Sequence, residues 1–342
     1  MGLNYFKGTV KILSIDGGGI RGYMPALILR EVEERLQNRG VKKPLGALFD
    51  FLAGTSTGSI ISLGLAAPRQ LTNTAYSKNE AAFSAEEIAD MYLDHGLDIF
   101  PRRIFTRFQT MRHAFREKYS DGRFQEILEE SFGRRTIKDS ITNVLVTSFD
   151  IDKNEPLIMK KVPPRLRKED PPNYYMSDAI RASSSAPTYF EPIEVSSVDN
   201  TLHHSLIDGG VFANNPAMCA FVEAQKIFPW AKKYFILSLG TGNFPRRWTY
   251  EQIKDWGVIE WIQPSKGVPI AIVMNQGQSQ TVNYQLSHLP RVEYHRINPV
   301  IDKCSSAMDD AAKENMTCLR ESAEEAITRN EGVIERIVRM LE

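Results

Sequence analysis

The chain of 342 residues carries 42 Lys+Arg against 42 Asp+Glu, so its formal charge cancels. That balance argues against a protein that binds nucleic acid over its whole surface, and the length suffices for one large core or two modest ones. The cysteines (Cys219, Cys304 and Cys318) are odd in number and lack Cys-x-x-Cys spacing; this argues against a disulfide framework or a zinc site, fits a reducing compartment, and reads all three as small buried hydrophobes.

The first seven residues lack the apolar run of a signal peptide, and Phe6 stands where myristoylation of Gly2 wants Ser or Thr. No apolar run approaches membrane-spanning length. A cytoplasmic protein is expected, with peripheral membrane association as an option.

Residues 10–15 (Val-Lys-Ile-Leu-Ser-Ile) read as a first strand. It runs straight into Asp16-Gly17-Gly18-Gly19-Ile20-Arg21-Gly22 and then into a helix, where Pro25 suits the first turn and Ile28, Val32 and Leu36 form an apolar stripe. Consecutive glycines between strand and helix let successive backbone N–H groups point at one anion. Two chemistries use such a nest. Gly17, Gly19 and Gly22 satisfy G-x-G-x-x-G, but a dinucleotide site also wants an acid at the end of the second strand to hold a ribose. The other use is an oxyanion hole, with N–H donors waiting for charge to develop on a carbonyl oxygen.

The second strand, 49–53, ends in Gly54-Thr55-Ser56-Thr57-Gly58 instead of an acid. This fits the G-x-S-x-G nucleophile elbow, and residues 59–67 read as the buried helix that should leave it. Gly54 and Gly58 spare the tight turn two Cβ atoms, and Ser56 falls at a helix N-terminus that favours developing negative charge. A glycine-rich turn and a serine elbow at the ends of adjacent strands are what acyl transfer needs, so the oxyanion reading is preferred.

Residues 68–82 are polar and irregular, as a surface loop would be, and Ser84 with Glu87 makes a capping box for a helix through Asp94. Residues 100–119 carry six Lys/Arg against one acid. On a helix, Ile104, Phe108, Met111 and Phe115 share one face, with Arg103, Arg107, Arg112 and Arg116 beside it. This is the pattern of a segment lying in an anionic membrane interface, and more commonly of an ordinary surface helix whose apolar stripe packs on the core. A third option is that the arginines hold an anionic nucleotide activator.

Asp121 should cap a helix ending near Gly133, and 143–149 should be a strand that 156–160 can join. Pro163-Pro164 and Pro171-Pro172 bracket a charged loop. A strand then carries Asp208 into Gly209-Gly210, where its carboxylate can face a neighbouring serine unhindered, and Asn214-Asn215-Pro216 opens a helix over 217–228. Strand 234–239 leads to Gly240-Thr241-Gly242, followed by apolar segments at 250–262 and 268–286 and a strand over 292–297. Two helices close the chain, Asp309 and Asp310 standing where they would cap the first.

Six histidines are candidates for a base: His95, His113, His203, His204, His288 and His295. In the order Ser…Asp…His, His288 or His295 could complete a triad with Asp208. Against this, enzymes of that order place several strands before the elbow, and here one precedes it. Neither histidine sits in a glycine-rich loop, and His295 alternates within a strand. Without a triad, Asp208 itself would accept the Ser56 proton, which calls for a partly desolvated carboxylate with a raised pKa.

Taken together, the motifs at 16–22, 54–58 and 208–210 resemble the patatin-like phospholipases, whose Asp-Gly-Gly-Gly-x-Arg-Gly, Gly-x-Ser-x-Gly and Asp-Gly-Gly stand here in that order. Residues 182–190 (Ala-Ser-Ser-Ser-Ala-Pro-Thr-Tyr-Phe), Asn214-Asn215-Pro216 and 237–242 match as well. The later Tyr284-Gln285-Leu286 and Met308-Asp309-Asp310-Ala311 look like bacterial members. The resemblance implies a Ser56–Asp208 dyad, an oxyanion hole from the backbone of Gly17, Gly18 and Gly19, and hydrolysis of acyl esters of phospholipid at a membrane surface. In that pattern Asp16, Arg21, Gly22, Gly54, Gly58, Gly209 and Gly210 are supporting residues, Arg21 more as loop support than as a phosphate ligand.

The expected fold is a single α/β domain over residues 8–342, a largely parallel sheet flanked by helices with its core at 10–300 and C-terminal helices at 309–342. No metal, cofactor or nucleic acid is called for. The bacterial likeness also allows a regulated effector, a phage-defence phospholipase gated by a cyclic nucleotide or a toxin, with a nucleotide or protein activator; a nucleotide-binding oxidoreductase is a remoter alternative.

Overall fold

The computed structural model describes residues 8–72, 75–99, 121–161, 163, 172–187, 189–245, 248–263, 268–305 and 307–342. The basic stretch at 100–119 and most of the charged loop between the two proline pairs lie outside them. In chain order the strands are β1 (Thr9–Ile15), β2 (Phe51–Thr55), β3 (Pro68–Thr72), β4 (Ala75–Ala81), β5 (Asn143–Asp150), β6 (Glu155–Lys160), β7 (Ile193–Ser196), β8 (His203–Asp208), β9 (Lys233–Leu239) and β10 (Val292–Ile297).

Eight of them form one sheet in the order β10-β9-β1-β2-β5-β8-β7, with β6 also on β5. From β10 to β5 every pairing is parallel, and β8, β7 and β6 join antiparallel. The expected α/β class with a largely parallel sheet is thus the observed one.

The parallel strands read as continuous apolar runs because both of their faces are covered. Along β1, Leu13 and Ile15 enter one core with Leu52 of β2 and Val144 and Val146 of β5. The helices Tyr23–Asn38, Thr57–Ala66 and Ala85–Asp94 cover that face, and so do the two C-terminal helices, Lys313–Arg329 and Glu331–Leu341. Val10 and Ile12, pointing the other way, join Phe51, Leu145 and Ile236 under the helices Ala217–Ile227 and Pro269–His288. The C-terminal helices share the main core through Ile334, Ile337, Val338 and Leu341, and Arg35 clamps Glu331 with two hydrogen bonds of 2.6 and 2.9 Å.

Three local expectations are corrected. Residues 68–82 are no irregular loop; they fold as the antiparallel ribbon β3–β4, whose register shifts between Pro68 and Thr72. Its exposed polar residues carry no apolar alternation to betray it. The helix Lys313–Arg329 is entered at Ala312, with no side-chain cap; Asp310 instead accepts the Ala312 N–H at 3.2 Å. Cys304 and Cys318 form a disulfide, 14 residues apart, leaving Cys219 free. One cysteine lies in a loop and the other on a helix, a pairing that spacing does not encode, and the cysteine argument for a reducing compartment loses its basis. Among the described residues, no helix is long and apolar enough to cross a membrane.

Candidate active site

β2 delivers Ser56 to the C-terminal edge of the sheet, and the helix Thr57–Ala66 departs at once. The turn holds Ser56 at φ 54°, ψ −126°, a left-handed backbone that non-glycine residues rarely adopt. Close packing explains the flanking glycines. A Cβ on Gly54 would stand 2.1 Å from the Gly58 carbonyl oxygen, and one on Gly58 would stand 2.2 Å from that of Ile15. The elbow is therefore folded tightly against the end of β1, the strand that carries the glycine-rich loop.

Asp208 comes from the antiparallel side. β5 lies between β2 and β8; its Thr147 pairs with Thr55 and its next residue, Ser148, pairs with Asp208. The register therefore sets Asp208 level with Ser56, two strand spacings away, about 10 Å between backbones. The chain then crosses β5 closely: a Cβ on Gly209 would meet Thr147 Oγ1 at 2.2 Å. Thr55 and Thr147 tie this crossing together. The Thr55 hydroxyl donates to the Ala213 carbonyl at 2.7 Å, so Thr147 must donate in the 2.7 Å bond between the two hydroxyls.

Across the gap the Asp208 carboxylate lies near enough to the Ser56 hydroxyl for the serine to bear on its pKa. Both residues are buried, 9% and 5% exposed. Burial raises the Asp208 pKa from 3.8 to about 6, against the Gly210 N–H hydrogen bond and the nearby Ser56 hydroxyl, which favour the charged form. The Gly210 bond measures 2.7 Å.

The stretch 182–190, which the sequence offers as a family match without a role, holds both residues. Ser183 Oγ accepts the Ser56 N–H at 2.8 Å, and the Ser185 carbonyl accepts the Asp208 N–H at 3.0 Å. A run of three serines after a helix gave no signal of that geometry.

The glycine-rich loop lies against the elbow, close enough that a Cβ on Gly17 would be 3.2 Å from Ser56 Cβ. Its N–H groups are unequal. Gly17 N–H is taken by the Asn214 carbonyl at 3.1 Å and Ile20 N–H by that of Met308 at 2.8 Å, while no acceptor among the described residues bonds Gly18 or Gly19 N–H. Two arginines fix the loop. Arg21 Nε donates to the Gly18 carbonyl at 3.1 Å, and its guanidinium stacks on Phe244 with 5.1 Å to the ring centroid. Arg296 of β10 forks onto the Asp16 carboxylate at 2.8 and 2.5 Å and also reaches Ser238 Oγ at 2.7 Å. Arg296, 280 residues from Asp16 in sequence, was missed by sequence reasoning; nothing in its strand singles it out. Where a dinucleotide fold would carry its ribose acid, β2 ends in Thr55 and runs straight into Ser56.

None of the described histidines is bonded to Ser56 or Asp208. His288 Nδ1 bonds the Tyr284 carbonyl at 2.7 Å, and His295 bonds Glu293 at 3.1 Å while packing on Phe235. His204 lies buried between Asp150 at 2.7 Å and Tyr174 at 2.9 Å, and His203 Nδ1 meets Ser196 Oγ at 2.8 Å. His113 lies outside the described residues. Among those residues no cluster of His, Cys, Asp and Glu is built to hold a metal ion.

An α/β sheet presenting a serine elbow beside a glycine-rich loop and a buried carboxylate is an arrangement that acyl transfer can use. The patatin-like phospholipase family model matches residues 13–221. Patatin-like protein 2 of Arabidopsis thaliana is 30% identical over 95% of this chain and 84% of its own length. Patatin-like protein 3 of the same plant is 33% identical over 81% and 70%. The chain belongs to the patatin-like phospholipase family and is a lipid acyl hydrolase. Among solved structures, VipD from Legionella pneumophila overlies 93% of the chain and 67% of its own at 11% identity and a TM-score of 0.33, a likeness too slight to add to this.

Proposed function

We propose that the protein hydrolyses fatty-acyl esters of membrane phospholipids, with Ser56 as nucleophile and Asp208 as the group that takes and returns its proton. One observation carries this reading: a serine held at a left-handed φ stands across β5 from a carboxylate that burial has made more basic than usual, with a pKa of about 6. Such a carboxylate is ionised at neutral pH, as a base must be, and still has a useful affinity for the proton it takes.

In the first step Ser56 Oγ forms a bond to the ester carbonyl carbon as its proton passes to Asp208. The carbonyl oxygen takes up the negative charge, facing the N–H groups of Gly18 and Gly19; Gly17 keeps its bond to Asn214 and orders the loop. Collapse breaks the ester C–O bond, and Asp208 returns the proton to the departing alcohol, leaving an acyl-serine. Water, deprotonated by Asp208, then attacks the acyl carbon and frees the fatty acid while Ser56 regains its proton.

The decisive experiment is mass spectrometry of mixed phospholipids incubated with purified protein and with Ser56→Ala, with and without a panel of nucleotides. Free fatty acid and lysolipid should appear with the native protein and be absent with Ser56→Ala. Equal release by Ser56→Ala would overturn the mechanism.

A further inference from the structure

Beside the glycine-rich loop lies a cavity of about 370 Å³. Gly17 and Asn214, which lie next to Ser56 and Asp208, are part of its lining, so the cavity adjoins the site where the ester would be cut.

Its charges are unequal. Two guanidiniums line it, those of Arg21 and Arg296, against one carboxylate, that of Asp16. Asp16 is spoken for by Arg296. Arg21 is 8% exposed, and its bonds are to a carbonyl and an aromatic face; no carboxylate among the described residues lies within ion-pair distance. Burial lowers its pKa to about 10, which leaves it charged at neutral pH. A buried cation with no counter-charge is unfavourable, and an anion entering the cavity relieves it.

The rest of the lining is rich in amides. Seven Asn and Gln residues contribute. Asn298 already accepts the Gly242 N–H and Asn283 the Tyr294 hydroxyl, but the side chains of Asn243 and Asn275 have no partner among the described residues. A carboxamide both donates and accepts, so it pairs with hydroxyl groups and has little to offer an ammonium. A choline or ethanolamine cation would want a carboxylate or an open ring face; the one carboxylate is locked on Arg296, Phe244 is covered by Arg21, and Tyr189 stands near the Arg21 guanidinium, whose charge repels a second cation.

We propose that this cavity is a headgroup subsite for phospholipids whose phosphodiester carries a hydroxylated group such as glycerol or inositol, with the phosphate on Arg21 and the hydroxyls on the carboxamides around Asn243 and Asn275. It rests on the acyl-hydrolase reading and names the substrate class for it.

The test is a headgroup panel with matched acyl chains in mixed micelles: phosphatidylglycerol, phosphatidylcholine and a monogalactosyl diacylglycerol, which has hydroxyls and no phosphate. A p-nitrophenyl butyrate arm has no headgroup at all. The phosphate is common to both, so phosphatidylglycerol should exceed phosphatidylcholine in kcat/KM by roughly tenfold, the scale of one or two neutral hydrogen bonds to the headgroup hydroxyls. Asn275→Asp, which takes away an amide donor to the headgroup hydroxyls and sets there a carboxylate that attracts choline, should lower that ratio about tenfold; because it is a ratio, any loss of folded enzyme cancels. Equal turnover of the two phospholipids, or an unmoved ratio in Asn275→Asp, overturns the subsite while hydrolysis itself stands. A galactolipid cleaved as fast as phosphatidylglycerol overturns the assignment of phosphate to Arg21. Failure to cleave any of the four esters overturns the acyl-hydrolase reading, and the subsite falls with it.

Discussion

Asp208→Asn should yield a protein that is nearly inactive and more stable than the native one. Asp208 titrates at about 6 in the folded protein because burial disfavours its charge, against 3.8 for an ordinary aspartate. Between these values the native state binds more protons than the unfolded chain, so stability falls as pH rises from 3.8 through 6. At about 1.4 kcal/mol per tenfold change in proton affinity, the full cost above pH 6 is about 3 kcal/mol.

Asparagine escapes that cost, since it carries no charge and its carbonyl oxygen can still accept the Gly210 N–H. Urea denaturation should therefore show Asp208→Asn ahead of the native protein by up to about 3 kcal/mol at pH 8, with the gap closing below pH 4, where the native Asp208 is protonated in both states. Ester hydrolysis should fall roughly 10³-fold or more in the variant, and in the native enzyme kcat/KM should rise through pH 6 and level off. A variant less stable than the native protein at pH 8, or a gap of the same size at pH 4, would refute the claim that a desolvated carboxylate serves as the base.

Four further outcomes are expected. Ser56→Gly should be inactive yet no less stable to heat, because glycine relieves the left-handed φ of 54°, worth on the order of 1–2 kcal/mol; a marked drop in melting temperature would contradict the strain. His288→Ala and His295→Ala should keep most ester hydrolysis, the latter at some cost in stability through its contact with Phe235; a loss in either as deep as that of Asp208→Asn would put a histidine in the mechanism. Gly18→Val should lose 10²–10³-fold in kcat, since its Cβ would stand 2.2 Å from Thr241 Oγ1 and force the loop to re-aim its N–H groups; a folded variant with full activity would exclude that loop as the oxyanion site. Cys318→Ala should lower stability by about 3 kcal/mol, the chain-entropy value for opening a 14-residue loop; unchanged urea denaturation would show that the bond does not form in solution.

What was legible in the sequence divides by how locally it is encoded. Strands β1, β2, β5 and β9 are apolar runs bounded by glycines or polar turns, and they fell within one or two residues of their observed ends. The capping box at Ser84 and Glu87 was equally readable, because both of its hydrogen bonds lie within four residues. The ribbon β3–β4 was not, since its residues are exposed on both faces and leave no period to read. At the site, Ser56, Asp208 and the glycines could be found because tight turns demand glycine at fixed offsets. Arg296 and Ser183 could not, because each acts on a residue more than a hundred positions away and neither needs a distinctive neighbour. The unequal condition of the loop donors was hidden for the same reason: the carbonyl that occupies Gly17 N–H belongs to Asn214.

Those distant contacts explain why the site can hold two unfavourable features at once. A left-handed serine and a buried carboxylate each destabilise the fold by an amount comparable with a large core substitution. Ser56 follows β2 and Asp208 ends β8, on either side of β5, and β1, β2 and β5 are buried on both faces, so neither residue can relax without moving the sheet. Ser183 and Ser185 bind the backbone N–H of each strained partner, leaving the Ser56 hydroxyl and the Asp208 carboxylate free to face one another. If the strain were confined to the turn, a two-residue dyad would drift toward ordinary hydrogen bonds with water. In the proposed mechanism Asp208 would then need no histidine to orient the serine, since the register of β5 between β2 and β8 sets the two residues level.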